Sequence, residues 1–294
     1  MREPTPPAPS MDPSVRVRRA SSFGTVAALY QRYRPGPPIE AVAWLLPAPT
    51  DTVIDLGAGT GALTRLLTAR AERVIAVEPD ERMRSILEAE VAGVTVLEGR
   101  GESMPVPDGI ADAVLASSAW HWVDPVAGLD EVARVLKPGG LFGAMWSGPD
   151  RDGGIWAQAR ALLDDRRENR PDTGGVMATL GEVTSRPDPV RHRLEIPAGA
   201  PFAQPECRVF DRTMSLNLDE LVGLLGTYSR VIVLEPDERE ALLATVRSLL
   251  AERLGPSGDE TVDLVFRCRT FRSYLLDRGA RPSCGTRWNR ALRP

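Results

Sequence analysis

The chain has 294 residues, of which 43% are hydrophobic, and this is enough apolar material for a sizeable core and excludes a disordered protein. Its 36 basic and 40 acidic residues give a net charge of −4, so the protein as a whole has no excess positive charge that would attract nucleic acid or an anionic membrane. The three cysteines are far apart and have no paired Cys/His spacing, which argues against a disulfide scaffold and a metal site. No apolar run is long enough for a membrane span or a signal peptide, so we expect a cytoplasmic protein.

The two ends of the chain differ in composition from its middle. Residues 1–20 are rich in Pro and Arg without an apolar period, which predicts a disordered leader. Residues 277–294 carry five arginines against one acid, which predicts a mobile basic tail. Because no composition break divides the remainder, we expect a single domain over residues 21–276.

Strands and helices alternate between these ends. Apolar runs predict seven strands, at 52–56, 73–77, 94–97, 111–116, 141–146, 207–215 and 261–270. Helical spacing predicts helices at 62–69, 80–91, 125–136, 155–165, 218–225 and 237–253. The stretch at about 150–204 is largely broken by Pro and Gly and is predicted to be a substrate-side insertion. Repeated βα units predict an α/β fold, a doubly wound, Rossmann-like sheet of seven mostly parallel strands with helices on both faces.

A glycine-rich turn gives the sharpest functional signal. The first strand, Val-Ile-Asp-Leu, leads directly into Gly57, Gly59 and Gly61, and a helix follows. Glycine is needed where a backbone turns tightly and a ligand touches the main chain, and the helix N-terminus supplies unpaired N–H groups. The pattern therefore predicts a nucleotide-like ligand over this turn. The same spacing, with Ala62, also satisfies the looser dinucleotide pattern of a nicotinamide oxidoreductase.

Two acidic residues narrow the choice of ligand. Asp55 stands two residues before the first glycine, where it would repel a pyrophosphate but attract a ligand with an ammonium and a sulfonium group. S-adenosylmethionine is such a ligand. Glu78 follows the second strand and is placed to accept the hydroxyls of a ribose, which both kinds of cofactor contain.

Residues 23–150 resemble the class I S-adenosylmethionine-dependent methyltransferases through four ordered blocks, VIDLGAGTGALTRLL, VIAVEPDERM, GRGESMPVPDGIADAV and EVARVLKPGGLF. The resemblance implies that Asp55 and the backbone of the three glycines hold the methionine part of the cofactor and that Glu78 holds its ribose. It also implies that Gly101 and Glu102 contact the edge of the adenine. Arg100 departs from the family pattern, in which an acid or a small hydroxyl residue is common.

The stretch Tyr-Gln-Arg-Tyr-Arg-Pro at 30–35 is similar to the opening of small-molecule members such as the trans-aconitate methyltransferase group. By that resemblance an N-terminal helix closes over the cofactor, and Tyr30 or Arg34 contacts the cofactor carboxylate. An amphipathic helix that ends at Pro35 accounts for most of the same residues structurally.

The segment after the fourth strand supplies the residues predicted to act on the acceptor, because ligand sites lie at the carboxyl ends of such strands. Ser117 is expected to bring its backbone carbonyl towards the cofactor. His121 is the candidate general base, although a histidine packed between tryptophans, here Trp120 and Trp122, is the commoner arrangement and favours a packing role. The tryptophans here and at position 146 are either a wall for an organic substrate or core residues.

Pro79 and Met83, which follow the second strand, are placed to sandwich the adenine, and for Met83 a buried helical position is the alternative.

The sequence as a whole predicts methyl transfer from S-adenosylmethionine to a small organic acceptor, at a hydroxyl or carboxylate oxygen. A protein of the same fold that binds this cofactor without methyl transfer, as a regulator or a non-methylating cyclase, is the main alternative. Neither the acceptor nor the oligomeric state follows from the sequence.

Overall fold

The computed structural model describes residues 26–150, 156–157, 159, 193–254 and 260–276. The predicted leader at 1–20, the predicted tail at 277–294 and much of the predicted insertion lie outside the described residues. Of the helix predicted at 155–165, residues 156, 157 and 159 are described, and all three are helical.

Seven strands form one sheet in the order β3-β2-β1-β4-β5-β7-β6. The pairs β1–β2, β1–β4, β2–β3 and β4–β5 are parallel. The strands are β1 Thr50–Leu56, β2 Ala71–Val77, β3 Thr95–Leu97, β4 Ala111–Ser117, β5 Leu136–Pro149, β6 Glu206–Leu216 and β7 Val262–Tyr274. The prediction of an α/β fold around a seven-stranded, mostly parallel sheet is confirmed.

Eight α-helices lie within the described ranges 26–150, 193–254 and 260–276, and several of them lie between successive strands. They are α1 Ala27–Tyr33, α2 Ile39–Leu45, α3 Thr64–Leu67, α4 Glu81–Glu90, α5 Pro125–Val135, α6 Leu218–Gly226, α7 Ser229–Ile232 and α8 Pro236–Leu254. A 3₁₀ turn at Trp120–Trp122 follows β4. No helix in the described ranges combines the length and the apolarity needed to cross a membrane.

The chain divides into two compact units. The sheet unit comprises Pro35–Ser147, Leu194–Asp211 and the described part of Cys268–Pro294. The helical unit comprises the described parts of Met1–Arg34, Gly148–Arg193 and Arg212–Arg267. The predicted extent of one domain over 21–276 stays a prediction.

Both faces of the central strands in the sheet unit are buried. Neighbouring residues of a strand point to opposite faces, and Val53 and Ile54 of β1 belong to two different hydrophobic clusters, each with no exposed surface. Val114 and Leu115 of β4 divide in the same way. Strands buried on both faces are typical of a parallel sheet. Because β1, β2 and β4 are parallel, their carboxyl ends lie at the same edge of the sheet.

Local side-chain bonds fix where two of the helices of the sheet unit begin. The Asp80 carboxylate accepts hydrogen bonds from the backbone N–H groups of Arg82 and Met83 at the start of α4. The Asp124 carboxylate does the same at the start of α5, where Pro125 occupies the first turn. Such caps satisfy N–H groups that have no partner inside the helix, and they set the point at which the chain leaves each loop.

The start of β5 differs from the sequence prediction, which placed a strand only at 141–146. The strand begins at Leu136, and its register against β4 jumps between the pairs Ala111↔Leu136 and Ala113↔Leu141. The residues in between form an irregularity in the ladder, where Gly139 adopts a left-handed φ of 72°. The ammonium group of Lys137 anchors it through bonds of 2.9 and 3.0 Å to the Asp112 carboxylate.

Candidate functional site

The glycine turn follows β1 directly and is tied to the end of β2. Gly57, Gly59 and Gly61 have φ values of 68°, 57° and 89°, all in the left-handed region that favours glycine. The N–H groups of Gly57 and Ala58 donate to the carbonyl oxygen of Val77 at 2.8 and 3.2 Å. The positive φ values confirm that the sequence needs glycine at these positions for conformational reasons.

Two of these glycines face very different surroundings. A Cβ atom added at Gly57 would overlap the Cβ atom of Ala119, so this side of the turn is closed by the segment after β4. A Cβ atom added at Gly59 would meet nothing within 4 Å. The backbone at Gly59 is therefore the part of the turn that a ligand can approach.

Asp55, at the end of β1, is a fully buried carboxyl group. Its Oδ2 accepts a hydrogen bond of 2.6 Å from the Thr64 hydroxyl, whereas its Oδ1 is buried and has no hydrogen-bond partner among the described residues. Burial raises the pKa of this carboxyl to about 7, the Thr64 bond opposes the shift, and the nearby Glu78 adds to it. A buried oxygen without a partner is costly, and a cationic ligand at this point would offset that cost.

Glu78, at the end of β2, connects its own strand to the glycine turn. Its Oε2 accepts a hydrogen bond of 2.9 Å from the Gly59 N–H, and its Oε1 accepts one of 3.0 Å from the Asp80 N–H. Burial raises the pKa of Glu78, and these two backbone bonds oppose the rise. Each carboxylate oxygen has two acceptor positions, so the group retains capacity for the two hydroxyls of a ribose. The structure thus brings Asp55, Glu78 and the turn together, as the sequence predicted for neighbouring strand ends.

Two of the residues predicted to contact the adenine, Gly101 and Glu102, lie near the start of α5. Gly101 approaches Val123 so closely that an added Cβ atom would lie 2.5 Å from the Val123 Cγ2. Glu102 accepts a hydrogen bond of 2.7 Å from the Asp124 N–H through its Oε1. Pro79 is exposed and Met83 is buried at 3% exposure. The adenine contacts of these residues stay predictions.

Sequence reasoning missed Ser118, which follows β4 and precedes the residue that closes the turn. Its φ of 53° is the one left-handed value at a non-glycine residue among those the structure describes. The Ser118 N–H donates to the Met145 carbonyl oxygen at 2.8 Å, which holds the bend against β5. Ser117, the last residue of β4, is partly buried. Serine has no particular preference for a left-handed φ, so the residue type at position 118 does not signal this conformation.

His121 lies in the 3₁₀ turn after β4 and is bonded to a tryptophan of β5. The indole N–H of Trp146 donates to the His121 Nδ1 at 3.1 Å, and the His121 and Trp122 ring centroids are 4.4 Å apart. Trp120 and Trp146 are each 5% exposed, and Trp120 packs edge-on against Phe142. Both tryptophans are therefore core residues, which was the structural alternative for them.

Tyr30 and Arg34 belong to the helical unit. The Arg34 Nε donates a hydrogen bond of 2.9 Å to the buried Thr227 hydroxyl. Its guanidinium carbon lies 4.3 Å from the centre of the Tyr228 ring and 5.6 Å from that of Tyr30. These contacts join α1 to the end of α6. The predicted contact of Tyr30 or Arg34 with a cofactor carboxylate stays a prediction.

The described residues include no cluster of three or more His, Cys, Asp or Glu side chains that would hold a metal ion. The chemically distinctive groups of the site are its buried carboxylates, the open glycine backbone and the imidazole of His121.

The known proteins to which this chain is similar in sequence are methyltransferases. A family model described as a methyltransferase domain matches residues 54–144, the stretch that contains the glycine turn, Glu78 and His121. An uncharacterised methyltransferase of Mycobacterium tuberculosis is 38% identical over 231 residues, which cover 78% of this chain and 86% of that protein. An uncharacterised methyltransferase-like protein of Schizosaccharomyces pombe is 25% identical over 257 residues, which cover 86% of this chain and 94% of the relative.

Among solved structures, the chain is similar to that of a candidate type II methyltransferase from Anaeromyxobacter dehalogenans. The TM-score is 0.62 at 22% identity, and the match covers 83% of this chain and 99% of the other. At that identity the likeness concerns the fold alone, and it agrees with the sheet described above.

Proposed function

Because the chain belongs to the class I S-adenosylmethionine-dependent methyltransferases, we propose that it methylates a hydroxyl or carboxylate oxygen of a small organic molecule. The observation that supports cofactor binding most directly is the pair of buried acids, Asp55 and Glu78, beside the open backbone of Gly59. The net charge of −4 supports a small acceptor over nucleic acid or a membrane surface. Cytoplasmic location remains part of this proposal.

The residues present fit S-adenosylmethionine. Asp55 would attract its cationic end, because the Oδ1 atom is buried and without a partner among the described residues. The Gly59 backbone leaves room for the ligand, and Glu78 would accept the ribose hydroxyls. When bound, the cofactor supplies a methyl group on a positively charged sulfur, which is already a good leaving group.

The chain's own contribution to methyl transfer is mainly positional. An in-line displacement is accelerated when the reacting atoms are held in line and water is excluded. The closed contact between Gly57 and Ala119 fixes the segment after β4 against the glycine turn, and that segment carries His121. Ala119 thereby anchors the chain two residues before His121, the residue predicted to lie on the acceptor's side of the site.

Calorimetry and methyl transfer test the proposal separately. We expect micromolar affinity, roughly −8 kcal/mol, for S-adenosylmethionine and for S-adenosylhomocysteine, and no binding of NAD. Incubation with radiolabelled S-adenosylmethionine and a deproteinised small-molecule extract of bacterial cells should transfer label to the extract. Binding without transfer would favour the alternative of a regulator or a non-methylating cyclase, and binding of NAD alone would favour an oxidoreductase.

A further inference from the structure

The bond between Trp146 and His121 determines which nitrogen of the imidazole carries the proton. The tryptophan indole N–H is a donor only, and it donates to the His121 Nδ1 at 3.1 Å. The Nδ1 atom must therefore present its lone pair, and in the neutral ring the proton is on Nε2. The lone pair of Nδ1 is the one with which a neutral imidazole of this form would act as a base, and Trp146 occupies it.

From this geometry we infer that Trp146 is a positioning residue that prevents His121 from acting as a general base, and that the acceptor oxygen therefore reaches the site already ionised, as a carboxylate. The inference rests on the proposed function. Trp146 is suited to this role because it is 5% exposed and its ring packs edge-on against Phe271, with centroids 5.8 Å apart. A donor held this firmly in the core does not turn away to release the imidazole.

The other acids of the cofactor site are those that the proposed function assigns to the cofactor. Asp55 is fully buried and bonded to Thr64, and both oxygens of Glu78 accept backbone N–H groups. Glu102 accepts the N–H of Asp124 at the start of α5. A hydroxyl acceptor would have to lose a proton during methyl transfer, and in the proposed function these carboxylates bind the cofactor rather than the acceptor.

A carboxylate acceptor requires no base, and its reaction balances in charge. A lone pair of the carboxylate oxygen forms the new bond to the methyl carbon as the carbon–sulfur bond breaks, and that bonding pair remains on sulfur. The negative carboxylate and the positive sulfonium become a neutral methyl ester and a neutral thioether, and no proton is released. At neutral pH a carboxyl group is already ionised, whereas an aliphatic hydroxyl is not.

The first test reads the imidazole directly and needs no substrate. The sequence contains two histidines, so ¹⁵N labelling of histidine gives a simple spectrum, and His121→Gln identifies the His121 signals. At about pH 8 we expect a protonated Nε2 and an unprotonated Nδ1, and we expect Trp146→Phe to average the two signals towards each other. A proton on Nδ1 in the wild type, or a spectrum unchanged by Trp146→Phe, would overturn the inference.

A matched variant guards against an indirect effect of removing a tryptophan. Trp44→Phe makes the same change in the sheet unit, where Arg272 lies over the Trp44 ring and Phe210 packs against it at a tilt. We expect Trp44→Phe to leave the His121 signals as in the wild type. The same shift in both variants would mean that the His121 signal reports general loosening of the fold, and it would count against the role of Trp146.

The second test reads the chemical nature of the product. In the extract assay described above, methyl esters release labelled methanol under mild alkali, whereas methyl ethers and methylamines do not. We expect most of the transferred label to be volatile after this treatment. Alkali-stable label would overturn this inference and leave the proposed function intact for a hydroxyl acceptor. Absence of any transfer would overturn the proposed function, and this inference with it.

Discussion

Gly57 and Ala119 touch so closely that no side chain fits between them, although 62 positions separate the two residues in the chain. We predict that Gly57→Ala destabilises the protein by about 2–4 kcal/mol, because alanine is strained at the φ of 68° and its methyl group overlaps Ala119. Chemical denaturation followed by circular dichroism measures this loss.

Gly59→Ala is the matched comparison, because the φ of 57° is similar but the space around it is open. We expect a smaller loss of stability, about 1–2 kcal/mol, together with at least a tenfold loss of affinity for S-adenosylmethionine, since the new methyl group occupies the ligand's side of the turn. Equal effects of the two substitutions on stability and on binding would contradict this division of roles.

The buried carboxyl of Asp55 should make stability fall as the pH rises. Its pKa is about 7 in the folded state against an ordinary value of 3.8, so between these pH values the folded chain binds more protons than the unfolded chain. The free energy of unfolding therefore decreases from about pH 4 to about pH 7 by an amount on the order of 4 kcal/mol from this group, and it levels off above.

Asp55→Asn tests this dependence, because the amide keeps an oxygen for the Thr64 hydroxyl but does not ionise. Without cofactor, we expect the variant to lose less stability than the wild type between about pH 5 and about pH 8.5, measured by urea denaturation. It should also bind S-adenosylmethionine more weakly. Asp130→Asn, at an exposed position of α5, serves as the control and should retain the wild-type pH dependence. If the stability of Asp55→Asn depended on pH as that of the wild type does, the pH effect could not be assigned to Asp55.

Glu78→Gln should weaken binding of S-adenosylmethionine by about 1.5–3 kcal/mol, because a neutral amide loses the charge-assisted bonds to the ribose hydroxyls. The amide also accepts through one oxygen only, so the N–H group of either Gly59 or Asp80 loses its partner and stability falls. Calorimetry measures the affinity. Glu98→Gln removes a mostly exposed carboxylate paired with Arg84, and cofactor affinity should not change there. An unaltered affinity in Glu78→Gln would show that residue 78 does not hold the ribose.

Arg34→Gln separates a structural role from a cofactor contact. We predict a loss of about 1–2 kcal/mol in stability, because the bond to Thr227 and the stacking on Tyr228 disappear. If Arg34 also binds the cofactor carboxylate, affinity for S-adenosylmethionine falls, while affinity for 5′-methylthioadenosine, which lacks that carboxylate, is retained. Arg32→Gln is the control, since Arg32 is exposed. Equal losses of affinity for both ligands would show that Arg34 does not bind the cofactor carboxylate.

The features that the sequence predicted well are those with a local signal. A short apolar run and the three glycines identified β1 and its turn, because backbone conformation there depends on the residues themselves. The bond between Trp146 and His121 joins residues 25 positions apart, and no local pattern encodes it. The early start of β5 at Leu136 was missed for a related reason, since Pro138 and the glycines after it indicate a break unless the partner strand is known.

The double use of Glu78 limits how this protein can change through evolution. The carboxylate that is placed to select the ribose is the same group that holds the Gly59 N–H and so shapes the turn. A mutation at position 78 that altered nucleotide preference would at the same time release the backbone beneath the ligand. Relatives with a different nucleotide preference would need a compensating change in the turn. We therefore expect substitutions at positions 59 and 78 to occur together among relatives.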